Sequence, residues 1–426
     1  MIAAWSLVVV LASQSERGTA PLSMCDEASF ARIESVVREA HPRARAVRAD
    51  GDMRGSAAGR IPRWGDVRAM LEVRGAPATD PLNLSSTEMG GIEGGLMTGI
   101  PVWPADSARR SARERERAAL YATAEDVALD LTQEALELLV MDAELVERRE
   151  IKLETARMFD ALAELSHARV SAGRGSNADA TLLVARAATI RSEVRAVDAE
   201  RQAVAARFRE IVDDGALFCR VELEGALASP GPLAARPPED TIARRPMLRA
   251  IDHQSEAAAL EERAALWDFA PMPEVGVSYM WRPDPLSGAG GTMSHVDLLG
   301  ARLVVPLPVG FESRLAMRAE SRDRARMLKE ERAALVRSLR ARHDALASVE
   351  RGARDEVAAL EVEVRPLLEA ASAATRAAYE VGEADLAMVI DVETELVMLD
   401  ERILMARARA TDARLLRDTL GGVTTP

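Results

Sequence analysis

Aromatic side chains are scarce in this chain of 426 residues: they make up 3%, while charged residues reach 29%. Few large side chains make a thick layered core hard to fill, whereas alanine and leucine seams between long helices form easily. An excess of positive charge is missing too. The formal net charge is −13, and the arginines are mixed with acids rather than gathered into a patch. Nucleic acid is excluded as a partner on that ground, because phosphate binding needs a basic surface. Cysteine is limited to Cys25 and Cys219, which offer neither a zinc motif nor a disulfide framework. The histidines (His41, His167, His253, His295 and His343) lie far apart without ligand spacing. No apolar run reaches the roughly 18 residues of a membrane-spanning helix. No catalytic constellation emerges, and no cofactor or metal site is expected.

What is there begins with "MIAAWSLVVVLASQSERGTA". Ile2 to Ala12 form a short apolar core, with small residues following at Ser13, Ser15 and Ala20. This resembles a secretory signal peptide over residues 1–20, although no Lys or Arg precedes the apolar run. Lipid on Cys25 is not expected, because Met24 before it is large where a small residue is needed.

The rest is two copies of one plan. Pro42 of "HPRARAV" and Pro246 of "RPMLRAI" are 204 residues apart. Pro101 of "TGIPVWP" and Pro306 of "LVVPLPV" are 205 apart, and Gly173 and Gly382 are 209 apart. Landmarks at nearly constant offset indicate an ancient duplication. The first repeat covers residues 26–227 and the second 241–420, with a tail at 421–426. They are joined by "ASPGPLAARPPED" (residues 228–240), which has the proline and glycine content of a linker.

Each copy has the same internal order. A helix-like segment (Phe30 to Gly59, and Arg245 to Asp268) precedes two short strand-like runs. In the second copy these are "PEVGVSYMW" and "HVDLLGARLVVPLP", the first with partial alternation of Val275, Val277 and Tyr279. The first copy matches with "DVRAMLEVRG" and "GGIEGGLMTGIPVW". Very long helices follow, about Ala105 to Ala172 and Glu312 to Glu380. In the second, an apolar stripe includes Leu328, Leu335, Leu339, Leu346, Val349, Val357, Leu360, Val364 and Leu367. Pro366 should kink that helix. After Gly173 and Gly382, return helices are expected from Ala178 to Val212 and from Leu386 to Leu416. Four strands per chain cannot close a barrel wide enough for a channel. The strands therefore imply several chains sharing one barrel.

These motifs resemble the TolC-like outer-membrane efflux proteins, especially their metal-exporting branch, from about Phe30 to Leu420. "YEVGEADLAMVIDVETEL" is similar to the family's second-hairpin turn, and "RPLLEAASAATRAAY" to the proline-containing run before it. "AGRGSNAD" is similar to the first-hairpin turn. "MPEVGVSYMW" resembles the third strand, and "TGIPVWP" and "VVPLPV" the ends of the second and fourth. The resemblance implies a mainly helical fold with a small transmembrane β part. A homotrimer would form an α-helical barrel of long coiled-coil hairpins continuous with a shared 12-stranded outer-membrane barrel. It implies an outer-membrane location with a large periplasmic part, in contact with outer-membrane lipid. It also implies passive conduction, not enzymatic activity, in a tripartite system with a periplasmic adaptor and an inner-membrane RND-type pump. Heavy-metal cations are the substrates the branch suggests. "DVRAMLEVRG" departs from a lipid-facing strand through Asp66, Arg68, Glu72 and Arg74. Some of these must face the lumen or the rims, since charge against lipid is costly.

The same resemblance assigns residues. Asp391, nine after Gly382, matches an acidic position lining the periplasmic constriction, while the acid expected six after the glycine is Met388. Glu383 and Asp385 partly replace that lost charge, and a ring of acids would favour cations. Asp385 and Glu383 also suit a helix start. Tyr379 and Asp179 fall on the family's closed-state latch positions. Gly173, Gly175 and Gly382 form the hairpin turns, whose tips would meet the adaptor. Met272, Met280 and Met293 are read as flexible packing rather than as copper ligands. Two other readings account for long hairpins. A periplasmic adaptor has one main hairpin and lipoyl-like β segments, whereas two hairpins are present here. A coiled-coil scaffold leaves the duplicated strand pairs unexplained.

Overall fold

The order of elements follows the duplicated order of the sequence. The computed structural model describes residues 24–25, 27–61, 67–74, 91–100, 103–173, 176–223, 242–267, 269–270, 272–282, 297–306 and 311–420. The signal-like start, the linker 228–240, the tail 421–426, Gly175, Asp66 and Met293 lie outside them. In the first copy, helices α1 (Glu27–Ala40) and α2 (Pro42–Gly59) precede strands β1 (Val67–Arg74) and β2 (Gly91–Gly99). Helices α3 (Trp103–Ser171) and α4 (Asn177–Ile211) follow. In the second copy, α5 (Pro246–Trp267) leads into β3 (Glu274–Trp281) and β4 (Leu298–Val304). Then come α6 (Phe311–Ala359), a π-helical turn (Leu360–Val364), α7 (Arg365–Val381) and α8 (Leu386–Asp418).

Pro42 and Pro246 each open a helix. There a missing backbone donor costs nothing. The helix expected across Phe30 to Gly59 is split at His41, because a proline pushes the residue before it out of helical geometry. Pro366 acts differently. Its ring crowds the carbonyl four residues back, and the helix widens by one residue just ahead of it. The Arg365 N–H donates to Leu360 O, five residues back.

By packing, the chain forms two compact units, and both copies contribute to each. The first holds the described residues up to Arg45 together with Ala124–Pro246 and those from Val336 onward. Its main core joins Ile33 and Val37 of α1 to Leu139 and Leu145 of α3 and Phe208 of α4. A second cluster gathers Phe159, Leu183, Tyr379, Leu386 and Val389. Arg245, nearly buried, forks onto Asp126 (2.7 Å) and Asp130 (2.6 Å) and donates to Leu420 O. This fixes the start of α5 against α3 and the end of the second copy. Buried charge of this kind is tolerated because it is paired on every side.

The same unit corrects one expectation. Cys25 and Cys219 form a disulfide. They are 194 residues apart, so no local spacing announced the pair. Folding sets Cys25 beside Arg220, whose carbonyl accepts from the Cys25 N–H at 2.9 Å.

The second unit comprises Ala46–Thr123 and Met247–Leu335. Ile251 and Ala258 of α5 pack on Leu328 of α6. Arg117 (2.9 Å) and the Tyr121 hydroxyl (2.7 Å) converge on Asp52, tying α3 to α2. Its strands form one antiparallel sheet in the order β1-β2-β3-β4. Among the described residues, no helix is long and apolar enough to cross a membrane.

Candidate functional site

Two regions carry chemistry, and each is described by itself. The first is the sheet. Its register pairs Glu72 with Glu93 and Glu93 with Met280, which fixes the two faces. Residues directly opposite share a face, and alternate residues along a strand do too. One face carries Val67, Leu71, Val73, Leu96, Val277, Tyr279, Trp281, Leu299 and Leu303, all exposed. Leu299 keeps 85% of its area open. The other face carries Arg68, Glu72, Arg74, Glu93, Glu274 and Arg302, interspersed with glycines and methionines. So the described charges of β1 all point one way, and the register left open by sequence is settled.

The charges on that face are paired. Arg74 Nε lies 2.7 Å from Glu93, and Arg302 lies 3.7 Å from both Glu72 and Glu93. Arg68 reaches Glu274 at 3.6 Å. Glu93 is 4% exposed, and its two arginine neighbours are what make a buried carboxylate affordable. Glycines let strands approach closely here. A Cβ on Gly91 would lie 2.8 Å from Trp281 O, and one on Gly95 2.8 Å from Val277 O. Met280 lies on this face beside Glu93, and Met272 just ahead of β3 is exposed.

The second region is the pair of hairpin ends. Gly173 and Gly382 have φ of +75° and +89°. That left-handed conformation ends a helix and favours glycine. At the second end, Gly382 N–H donates to Tyr379 O and Glu383 N–H to Ala378 O, which satisfies the last carbonyls of α7. At the first, the Ser176 hydroxyl caps α4 by accepting from the Ala178 N–H. Asp385 occupies the capping position of α8, yet its side chain makes no capping bond. Glu383, Asp385, Met388 and Asp391 are all exposed. Met388, Asp391 and Glu395 follow one another along one open row of α8 at helical spacing.

Tyr379 is 3% exposed and packs among Phe159, Leu183, Leu386 and Val389. Asp179 sits half-buried in the first turn of α4. Among the described residues, no hydrogen bond joins the Tyr379 hydroxyl to Asp179. Instead Arg169, in the last turn of α3, stacks its guanidinium 4.1 Å from the Tyr379 ring centroid. It also donates to Tyr379 O at 2.6 Å. One side chain of the first hairpin thus holds the end of the second. Sequence reading missed Arg169; its only signal was its place one turn before Gly173.

Glu393 was missed as well. It lies in the buried row of α8 with Leu386 and Ile390 and is 3% exposed. Arg376 grips both its oxygens (2.5 and 2.6 Å), and the Ser372 hydroxyl donates at 2.5 Å. Burial pushes its carboxyl up, but these donors outweigh burial and hold it below the ordinary value. A charge inside an apolar periodicity was the available signal. Lys152 of α3 bridges Glu193 of α4 (2.8 Å) and Glu401 of α8 (3.0 Å), crosslinking both hairpins.

No protein-family model matches the chain, and no curated protein matches it. Solved structures do. The outer-membrane channel OprN superposes with a TM-score of 0.72 at 15% identity, covering 93% of this chain and 90% of that one. CusC, described in terms of folding and transmembrane channel formation, gives 0.73 at 12%, covering 96% and 95%. The outer-membrane protein VceC of Vibrio cholerae gives 0.69 at 17%, covering 93% and 96%. The fold of this chain is therefore that of these outer-membrane channel proteins over nearly its whole length.

Proposed function

We propose that the chain is one protomer of a homotrimeric outer-membrane exit duct in a tripartite efflux system. The two-faced sheet carries this reading. Its exposed apolar face suits lipid, and its paired charges suit a water-filled lumen. Tyr279 and Trp281 suit the aromatic girdle at a membrane rim. Among the described residues, β1 and β4 are the edges of the sheet. In a four-stranded antiparallel meander, β4 of one copy meets β1 of the next in antiparallel sense. Three copies supply 12 strands, and closure satisfies every backbone group in lipid.

Conduction is passive. The hairpin ends form the periplasmic gate and the surface that meets an adaptor, through which an RND-type inner-membrane pump delivers cargo. Asp391, with Glu383 and Asp385, lines the constriction and favours cations, heavy-metal ions among them. The closed state is latched by Tyr379 and Asp179.

The test is direct. The protein extracted from outer membranes in detergent should have three times the chain mass and should give conductance steps in planar bilayers. Asp391→Asn should lower cation over anion permeability, and a Tyr379→Cys/Asp179→Cys pair should crosslink and block current. A monomer in the aqueous fraction without conductance would sink the channel reading. Metal export assays with and without the protein decide the cargo.

A further inference from the structure

Cys25 lies two residues before the start of α1, and Cys219 follows the short turn after α4. Their sulfurs are bonded to each other, and no described cysteine is free. The backbone is paired around the bond as well. Cys25 N–H donates to Arg220 O, and Met24 forms a parallel bridge with Arg220. Cys219 is 3% exposed. It belongs to the core that joins Phe208, Val212 and Leu217 to Ile33 and Val37 of α1.

We propose that this disulfide is the mature covalent state of the chain and that Cys25 consequently carries no acyl chain. A cysteine sulfur has two valences. One holds Cβ, and here the other holds the partner sulfur. A diacylglyceryl thioether at Cys25 needs that second valence, so the two fates exclude each other. Acylation also requires cleavage just before the cysteine, which removes Met24 and the bridge its backbone makes. The staple instead ties the segment ahead of α1 to the segment that leaves α4.

Formation is a thiol–disulfide exchange. One cysteine thiolate attacks the disulfide of an oxidant, giving a mixed disulfide and releasing one oxidant thiol. The second thiolate displaces the other oxidant sulfur. Two electrons pass to the oxidant, which leaves as a dithiol with the two protons. Such oxidants act in the periplasm and not in the cytosol, so the inference rests on the outer-membrane reading.

The experiment uses full-length protein from outer membranes. Free thiols are blocked with N-ethylmaleimide without reductant, and the digest is read by mass spectrometry. The expected result is one peptide pair joined through Cys25 and Cys219, two hydrogens lighter than the separate thiols, with Met24 still attached. Cells fed radiolabelled palmitate should leave the protein unlabelled. An acylated N-terminal Cys25 peptide, or maleimide on both cysteines, overturns the inference. In Cys219→Ser, Cys25 should take up maleimide; if it does not, the pairing is wrong. The fractions keep the two readings apart. A cytoplasmic product sinks the channel, whereas an outer-membrane product with free or acylated Cys25 sinks only the disulfide.

Discussion

Glu393 is a carboxylate whose ionisation stabilises the fold. Its carboxyl titrates lower in the folded chain than in the unfolded one, where the value is near 4.5. The bonds from Arg376 and Ser372 are therefore fully present above that value and are lost as pH falls through the lower, folded value. Glu393→Gln should flatten this part of the acid limb. Its melting temperature should fall less steeply than that of the native protein as pH is lowered below 4.5; equal slopes would refute the assignment. Arg169 makes a prediction of another kind. Arg169→Leu uncovers the Tyr379 ring and removes one of the two donors to the Tyr379 carbonyl, leaving the Gly382 N–H. The expected local cost is about 1–3 kcal/mol. Faster amide exchange at Gly382 and Glu383 would report it, and unchanged exchange would remove Arg169 from the tip. Arg169→Lys should fall between, since an ammonium keeps the charge but cannot stack as a plane.

Pro366 decides the shape of one element. The π-helical turn before it is the helix's answer to a missing donor and a crowding ring. Pro366→Ala restores an N–H that can reach Val362 O, and the turn should tighten to ordinary α-helix. A spin-label pair on exposed positions of α6 and α7 should then report a changed distance. An unchanged distance would mean that the bulge is set by Leu360 and Val364 packing on Leu399 and Ile403. A disturbance of the helix at Pro366 was foreseen from sequence, though as a kink rather than as a π-helical turn, and the helices, strands and hairpin ends were foreseen too. Period 3.6, turn glycines and helix-opening prolines are local signals, and the expected elements end within about four residues of the observed bounds. Other features depended on the whole fold. Sheet register was illegible because Gly91, Gly94, Gly95 and Gly276 have no side chain to declare a face. The apolar stripe of α6 and α7 overreached: Val349 and Leu367 are exposed, while His343 and Glu350 are buried. Glu350 is held there by Arg354 one helical turn on (2.6 Å) and by Arg417, which is 67 residues away in sequence and outside any local pattern. The disulfide and Arg169 likewise join residues that only folding brings together.

At the scale of the molecule, the proposed barrel predicts which face of the sheet meets lipid. Leu298 and Leu299 are neighbours on β4, so they lie at one depth, but their side chains leave opposite faces. Leu299 is on the apolar face, opposite Tyr279; Leu298 is on the charged face, opposite Met280. If the charged face lines water, Leu298→Arg adds one more cation to a hydrated wall and should assemble normally. Leu299→Arg exposes a guanidinium to hydrocarbon. The cost is about 2–4 kcal/mol at the bilayer midplane and less toward the rim. Leu71 lies on the apolar face in the same cross-strand row as Leu299, through Gly94 and Tyr279, so Leu71→Arg should also carry a cost. In a trimer each penalty is incurred three times per barrel. The yield of heat-resistant trimer in outer membranes should therefore rank Leu298→Arg above both Leu299→Arg and Leu71→Arg. The reverse order for the two β4 variants would mean that the sheet faces the other way, and equal yields that the apolar face is covered by protein rather than lipid.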